Sequence, residues 1–193
     1  MSIAALILAA GASSRFGSDK RLHHVDGVPL LARTIARYRE AFRTVGVTLK
    51  PDEEDVERLI TAAGALPIVA PDAHLGQGRS LAHGVAALAD SDGLVIALGD
   101  MPFVRAQTLH AIANALGRGS AQVIRPRCNG QPGNPIGFAP PMFDALTHIT
   151  GDQGARDLLH ASPEKVEFVD LADAGVLRDV DRPSDIEQLP TRE

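Results

Sequence analysis

The chain has 193 residues, 45% apolar and 22% charged, the balance of a globular α/β protein long enough to bury a substantial core. Nineteen Lys and Arg against 24 Asp and Glu leave a formal charge of -5, so no basic field gathers nucleic acid, and 4% aromatic residues with no Trp leave no stacking platform for bases. The single cysteine, Cys128, has no internal disulfide partner, which points to a reducing, cytoplasmic setting.

The expected elements alternate. Ile3 to Leu8 reads as a strand; with Ala9 and Ala10 this apolar run is too short for a membrane span and enters a glycine loop, so neither signal peptide nor membrane contact is expected. Helix-period residues follow from Leu30 to Phe42 behind Pro29, then a strand from Val45 to Leu49 and a helix from Glu53 to Ala63 behind Asp52. Leu66 to Ala70 is a strand, Ser80 to Leu88 a helix, Leu94 to Leu98 a strand and Gln107 to Leu116 a helix. Gln122 to Arg125 and Lys165 to Val169 complete the strands, with a helix from Asp152 to His160 before the last. Near-continuous apolar strands separated by helices predict crossover units around a mostly parallel sheet covered on both faces, a three-layer α/β/α architecture. No repeat or linker divides residues 1–193, so a single domain is expected. Ligands of such sheets gather beyond the carboxyl ends of the strands, and the chemistry is sought there.

The first strand runs into Leu8-Ala9-Ala10-Gly11-Ala12-Ser13-Ser14-Arg15-Phe16-Gly17-Ser18-Asp19-Lys20, small residues with two cations five positions apart. Small side chains let backbone N–H groups approach an anion, and Arg15 and Lys20 bring charge suited to phosphate oxygens; a flexible loop with solvated charges fits the same spacing. The segment is not a Walker loop, because Gly17 is followed by Ser-Asp-Lys, and it is not a GxGxxG turn. The strand Leu94 to Leu98 ends in Gly99-Asp100-Met101-Pro102. Asp100 at a carboxyl end beside the first loop suits a divalent cation shared with phosphate oxygens, and a turn or helix cap is the plainer use of such a residue.

Leu8 to Lys20 resembles the LAAGxSxRFGxxK signature, and Gly99 to Pro102 the GDMP segment, of the small nucleotidyltransferases related to molybdenum cofactor guanylyl- and cytidylyltransferases. Four further stretches keep the family's order. Gly76 to Leu81 is similar to its GxGxSL element, Gly130 to Phe138 to GxxGxPxxF, Gly151 to Arg156 to GDxGAR, and Asp179 to Asp185 to the terminal DxDxPxD. The resemblance implies a Rossmann-like nucleotidyltransferase fold and a Mg2+-dependent transfer of a nucleoside monophosphate from an NTP to a phosphorylated acceptor, with release of pyrophosphate.

It also implies roles for single residues. Leu8, Ala9, Ala10 and Gly11 hold the nucleotide, Arg15 and Lys20 its triphosphate, and Gly78 and Ser80 close on base and sugar; Ser80 equally suits a helix N-cap. Asp100 becomes the principal Mg2+ ligand. Asp179 and Asp181 lie two apart on an expected extended segment, hence on one face, where a cation relieves their repulsion; Asp181 is preferred for the metal, and solvated surface charge is the alternative. Asn134 and Pro135 fall in the acceptor stretch, where Gly133-Asn134-Pro135 replaces the Gly-His-Pro of cytidylyl members. Ala10, where guanylyl members carry a second glycine, narrows the space near the base and favours CTP over GTP or ATP. Molybdopterin is the favoured acceptor, with the product passing to a molybdenum enzyme or its chaperone. A sugar phosphate or other small phosphorylated metabolite is the rival acceptor, and a non-catalytic nucleotide-binding module the rival class.

The remaining polar residues are weaker signals. His23 and His24 are adjacent and point apart, without zinc spacing, and His74, His83, His110, His148 and His160 accompany no hydrolase motif. Cys128 near arginines fits an acidified thiol or an incidental small residue. Arg127 and Arg156 fit an anionic acceptor or plain surface charge, and the acids of Asp52 to Asp55 read as a helix start.

Overall fold

The computed structural model describes residues 2–11, 16, 18–151, 155–182 and 184–185. β1 (Ile3–Leu8) lies inside the sheet with four of its six residues buried, as an apolar strand flanked by helices on both faces must. A two-residue hairpin, β2 (His24–Val25) and β3 (Val28–Pro29), leads into α1 (Leu30–Ala41) and β4 (Val45–Leu49). α2 (Glu54–Ala62) and β5 (Leu66–Val69) extend the sheet on that side. α3 (Gln77–Ala87) then carries the chain back across β1 to β6 (Gly93–Leu98), which pairs with the other edge of β1. Beyond it come α4 (Ala106–Arg118), β7 (Val123–Cys128), β8 (Gln131–Pro132), β9 (Ile136–Phe138), α5 (Phe143–Thr147), α6 (Arg156–Ala161) and β10 (Val166–Asp170).

The order across the sheet is β10-β7-β9-β6-β1-β4-β5, with β8 on β7. β9 runs antiparallel to both β6 and β7, so β1, β4, β5, β6, β7 and β10 all point one way. The chain winds first toward β5 and then, through α3, the opposite way. The winding therefore reverses between the carboxyl ends of β1 and β6, the crevice where sheets of this kind bind ligands.

The two-residue period of β1 sorts the core. Ala5 and Ile7 face α1, α2 and α4 with Val47, Val95, Ile35, Ile60 and Ile112, whereas Ala4 and Leu6 face α3 and α5 with Leu81, Val85, Phe138 and Leu146. This is the expected three-layer α/β/α arrangement with a mostly parallel sheet. Among the described residues no helix is long and apolar enough to cross a membrane.

The hairpin β2–β3, β8 and α5 were not among the expected elements, and three further differences bear on the site. β9 was not foreseen, because three residues centred on a glycine carry no period; Gly137 is required there, since a Cβ would lie 2.8 Å from Leu116 Cδ1 and 2.9 Å from Ile112 Cγ2. β7 runs on through Pro126 to Cys128: the Pro126 carbonyl accepts from Gly133 N, and past Ile124 that edge no longer pairs with β9, so the missing N–H breaks no ladder. α3 starts at Gln77, so Ser80 is its fourth residue; Gly76 holds the cap position with φ 122°, a conformation suited to glycine, and the N-cap reading of Ser80 is wrong. Of the expected helix Asp152 to His160, the described part runs from Arg156, and residues 152–154 lie outside the described set.

Candidate functional site

At the reversal point the structure forms a cleft of about 440 Å³ between the carboxyl ends of β1 and β6. Leu8, Ala9, Ala10 and Gly11 line one wall, Gly99 and Asp100 the other, and Lys20, Ser80 and Asp181 close it. Sequence reading therefore placed most of its candidates together. Arg15 lies outside the described residues.

Lys20 organises the charge. Its Nζ donates to Asp100 Oδ2 at 2.7 Å, to the Val180 carbonyl at 2.9 Å and to Asp181 Oδ1 at 3.4 Å. Burial pushes the ammonium down, but the charges and hydrogen bonds of Asp100 and Asp181 outweigh it and hold Lys20 above its ordinary range. It is therefore a fixed cation at neutral pH. Asp100 is the second residue after β6, and Gly99 between them packs against β1: Gly99 N donates to Leu8 O at 3.0 Å, and a Cβ would lie 3.1 Å from Ala9 Cβ.

Asp181 arrives by a longer route. After β10, Asp173 is buried and accepts from Thr108 Oγ1 at 2.6 Å and Arg105 N at 3.0 Å, which ties the C-terminal segment to the start of α4. A Cβ on Gly175 would lie 2.2 Å from the Phe103 carbonyl oxygen, so the backbone passes tightly over that loop. Val180 N then donates to Asp100 O at 2.9 Å, and the fully buried Val180 packs on Phe16 and Leu30. This strap delivers Asp181 to the cleft. Asp179 is exposed and does not line it.

The donor set suits a divalent cation. Asp100 Oδ1 is buried and has no hydrogen-bond partner among the described residues, an arrangement that costs free energy unless a cation or donor satisfies it. Among those residues no cluster of three or more His, Cys, Asp or Glu side chains is arranged to hold a metal, so a cation here takes further oxygens from ligand or water, as Mg2+ does in phosphate sites.

Several contributors escaped sequence reading. Arg21, next in line after Lys20, has a side chain only 10% exposed. Its Nη1 donates to the Ala9 carbonyl at 2.8 Å and to Glu53 Oε2 at 2.8 Å, Nη2 to Asp19 Oδ2 and Glu53 Oε1 at 2.6 Å each, and Nε to Asp19 Oδ1 at 2.9 Å. Burial pushes the Asp19 and Glu53 carboxyls up, but Arg21 more than compensates and holds both below the usual range. Glu53, read as part of an acidic helix start, is thus a buttress of the first loop. Lys50, His74, Gly76 and Gln77 also line the cleft. Gly78 does not: its N–H donates to Gly151 O at 2.8 Å, and a Cβ would lie 2.8 Å from Ile149 Cγ2, so it seats α3 on residues 149–151.

Asn134 is placed away from the main cleft, in an adjoining hollow, and Pro135 is buried behind it. Arg127 pairs bidentately with Asp170 at 2.6 and 2.7 Å and lies over the Phe168 ring, so its charge is already answered. Cys128 is buried, and His83 pairs with Asp72 at 2.7 Å rather than with a nucleophile.

A parallel sheet with a small-residue loop, a fixed lysine and two carboxylates at its winding reversal is the frame of a nucleotidyltransferase. Residues 5–166 match the family described as the MobA-like NTP transferase domain, and the chain belongs to that family. It is 33% identical over 175 residues to the bifunctional protein GlmU of Acidiphilium cryptum, a match that covers 88% of this chain and 35% of the relative; the chain thus spans about a third of that relative's length. Its fold is similar to the crystal structure of Rv0371c from Mycobacterium tuberculosis H37Rv, at 26% identity and a TM-score of 0.82 over 97% of this chain and 96% of the other. A structure of Rv0371c in complex with manganese matches at 25% identity and a TM-score of 0.75, covering 89% of each chain. The fold alone is shared with CMP:2-keto-3-deoxy-manno-octonic acid synthetase complexed with CTP, at 14% identity and a TM-score of 0.80 over 97% and 96% of the chains.

Proposed function

We propose that this protein transfers a nucleoside monophosphate, CMP from CTP, to a phosphorylated acceptor, molybdopterin, and releases pyrophosphate in a Mg2+-dependent reaction. The observation that carries this reading is the Lys20 ammonium held between Asp100 and Asp181 in the cleft between β1 and β6. An acceptor phosphate oxygen forms a bond to the α-phosphorus, the bond from that phosphorus to the bridging oxygen breaks, and its electron pair leaves on pyrophosphate. A phosphate monoester has its second pKa near about 6 and is largely ionised at neutral pH, so no side chain has to remove a proton.

Catalysis then falls to positioning and charge. The backbone of Leu8 to Gly11, braced by Arg21 through the Ala9 carbonyl, holds the nucleotide, with Ser80 on the base and sugar side and Gly78 seating the helix that carries Ser80. Lys20 and Arg15 meet the triphosphate. Asp100 and Asp181 are the residues that would hold Mg2+, with Asp179 left as surface charge; when bound, the ion neutralises the charge that develops on the phosphates. Asn134 and Pro135 belong to the acceptor side. The Ala10 methyl, packed with Ala70 and Ala73, narrows the wall where the base would lie and supports CTP. A single domain over residues 1–193, a cytoplasmic setting, and hand-over to a molybdenum enzyme or its chaperone complete the proposal.

A second reading keeps the donor and replaces molybdopterin with another small phosphorylated metabolite; it is favoured by the match to bifunctional GlmU proteins. The test is pyrophosphate release with Mg2+ from CTP, GTP and ATP in parallel, with and without molybdopterin. Release from CTP only with molybdopterin is expected. Release only with a different phosphorylated acceptor selects the second reading, and no binding of any of the three nucleotides by calorimetry refutes both.

A further inference from the structure

Beside the cleft is a second hollow of about 170 Å³, which shares the lining residues Leu8, Gln77 and Leu98 with it. Its floor is apolar, built by Ile96, Ile136 and Phe138. Its walls carry two arginines, Arg125 from β7 and Arg156 from the start of α6. Elsewhere the molecule answers its part-buried arginines with carboxylates, as at Arg21, Arg33 and Arg79. These two differ. Among the described residues Arg125 makes a single hydrogen bond, from Nε to the Gly133 carbonyl at 3.2 Å, and neither it nor Arg156 has a carboxylate partner there. Burial and the nearby Arg156 charge hold the Arg125 guanidinium below its ordinary range, though a guanidinium stays protonated at any ordinary pH.

Two like charges facing a part-buried apolar hollow are unfavourable unless an anion joins them. Their planar donor forks match a phosphoryl group bidentately, and a phosphate monoester at neutral pH carries about -1.5 to -2 charges, enough to neutralise both. Leu8 and Leu98, at the carboxyl ends of β1 and β6, line both the hollow and the cleft, and the reading above, on which this inference rests, puts the nucleotide in that cleft. We infer that the hollow is the acceptor subsite and that Arg125 and Arg156 grip the acceptor's attacking phosphate monoester, while Ile96, Ile136 and Phe138 receive the carbon atoms next to it. The pair sets substrate class: acceptors without a dianionic head are rejected because they leave both guanidinium groups unanswered.

The test uses the full chain and phenyl phosphate, a monoester with a small apolar body, titrated by calorimetry with and without saturating CTP. Wild type binds phenyl phosphate in both conditions and does not bind benzyl alcohol. Arg125→Gln and Arg156→Gln each weaken phenyl phosphate by about tenfold or more, the loss of a charge-assisted pair, while CTP affinity stays within about twofold. Equal affinity in the variants overturns the assignment, and a parallel loss of CTP affinity shows that the arginines serve the nucleotide instead. A measurement on wild type alone guards against misfolded variants: phenyl phosphate protects Arg125 and Arg156 from phenylglyoxal, read by mass spectrometry, and absence of protection overturns the proposal. If CTP binds and phenyl phosphate does not, the subsite fails and the nucleotidyl reading stands; if phenyl phosphate binds at these arginines and no nucleotide binds, the reverse holds.

Discussion

Replacing Arg21 by Met keeps most of the apolar stem and deletes the donor fork, leaving Asp19, Glu53 and the Ala9 carbonyl without it. Removing one partner of a buried ion pair costs about 3–5 kcal/mol. Asp19 is 32% exposed and Glu53 18%, so both regain some water, which brings the expected loss to about 2–4 kcal/mol. For a chain of this size that is a fall in Tm of roughly 5–12 °C. The loss has a pH signature. Both carboxyls are held below their ordinary values of 3.8 and 4.5, so the stability they contribute with Arg21 is present above those values and disappears as pH falls through and below them. Urea and thermal melts of wild type and Arg21→Met at about pH 7 and about pH 3 therefore show a deficit that is full at the higher pH and shrinks at the lower one. A deficit under about 1 kcal/mol at neutral pH, or one that is unchanged in acid, refutes the view that this network carries the first loop.

Asp100→Asn is expected to keep the fold and to lower turnover with Mg2+ by on the order of 10² or more, and near-normal kinetics would remove Asp100 from the site. Ala10→Gly opens the wall shared with Ala70 and Ala73 and is expected to move the ratio of kcat/KM for CTP and GTP toward GTP; an unaltered ratio places base selection elsewhere. Gly133→Ala would put a Cβ 2.3 Å from the Val176 carbonyl oxygen, a backbone atom that cannot rotate away, and is expected to destabilise by the upper end of about 1–3 kcal/mol in urea melts. An unchanged midpoint would show that residues 133 and 176 are not held against each other.

The apolar runs of β1, β4 and β6 and the amphipathic periods of α1, α2 and α4 were legible in the sequence because burial on two faces, or on one helical stripe, dictates residue type at each position. The loop after β1 and the aspartate after β6 were legible as candidates for the same reason: the carboxyl ends of parallel strands are where a sheet of this kind leaves room for a ligand. Contacts made at long range were not. β9 is only three residues long, and it forms because β6 and β7 supply its hydrogen bonds. Arg21 reads as one more loop cation until Glu53, 32 residues on, is folded against it. Which of Asp179 and Asp181 lines the cleft was set by the strap that Asp173, Gly175 and Val180 pin to the start of α4 and to Asp100. The pairing of Arg125 with Arg156 across a hollow appeared only when a strand and a helix from separate stretches were packed on one sheet face. Local pattern records what each residue prefers as its surroundings; which distant residue provides them is decided by packing.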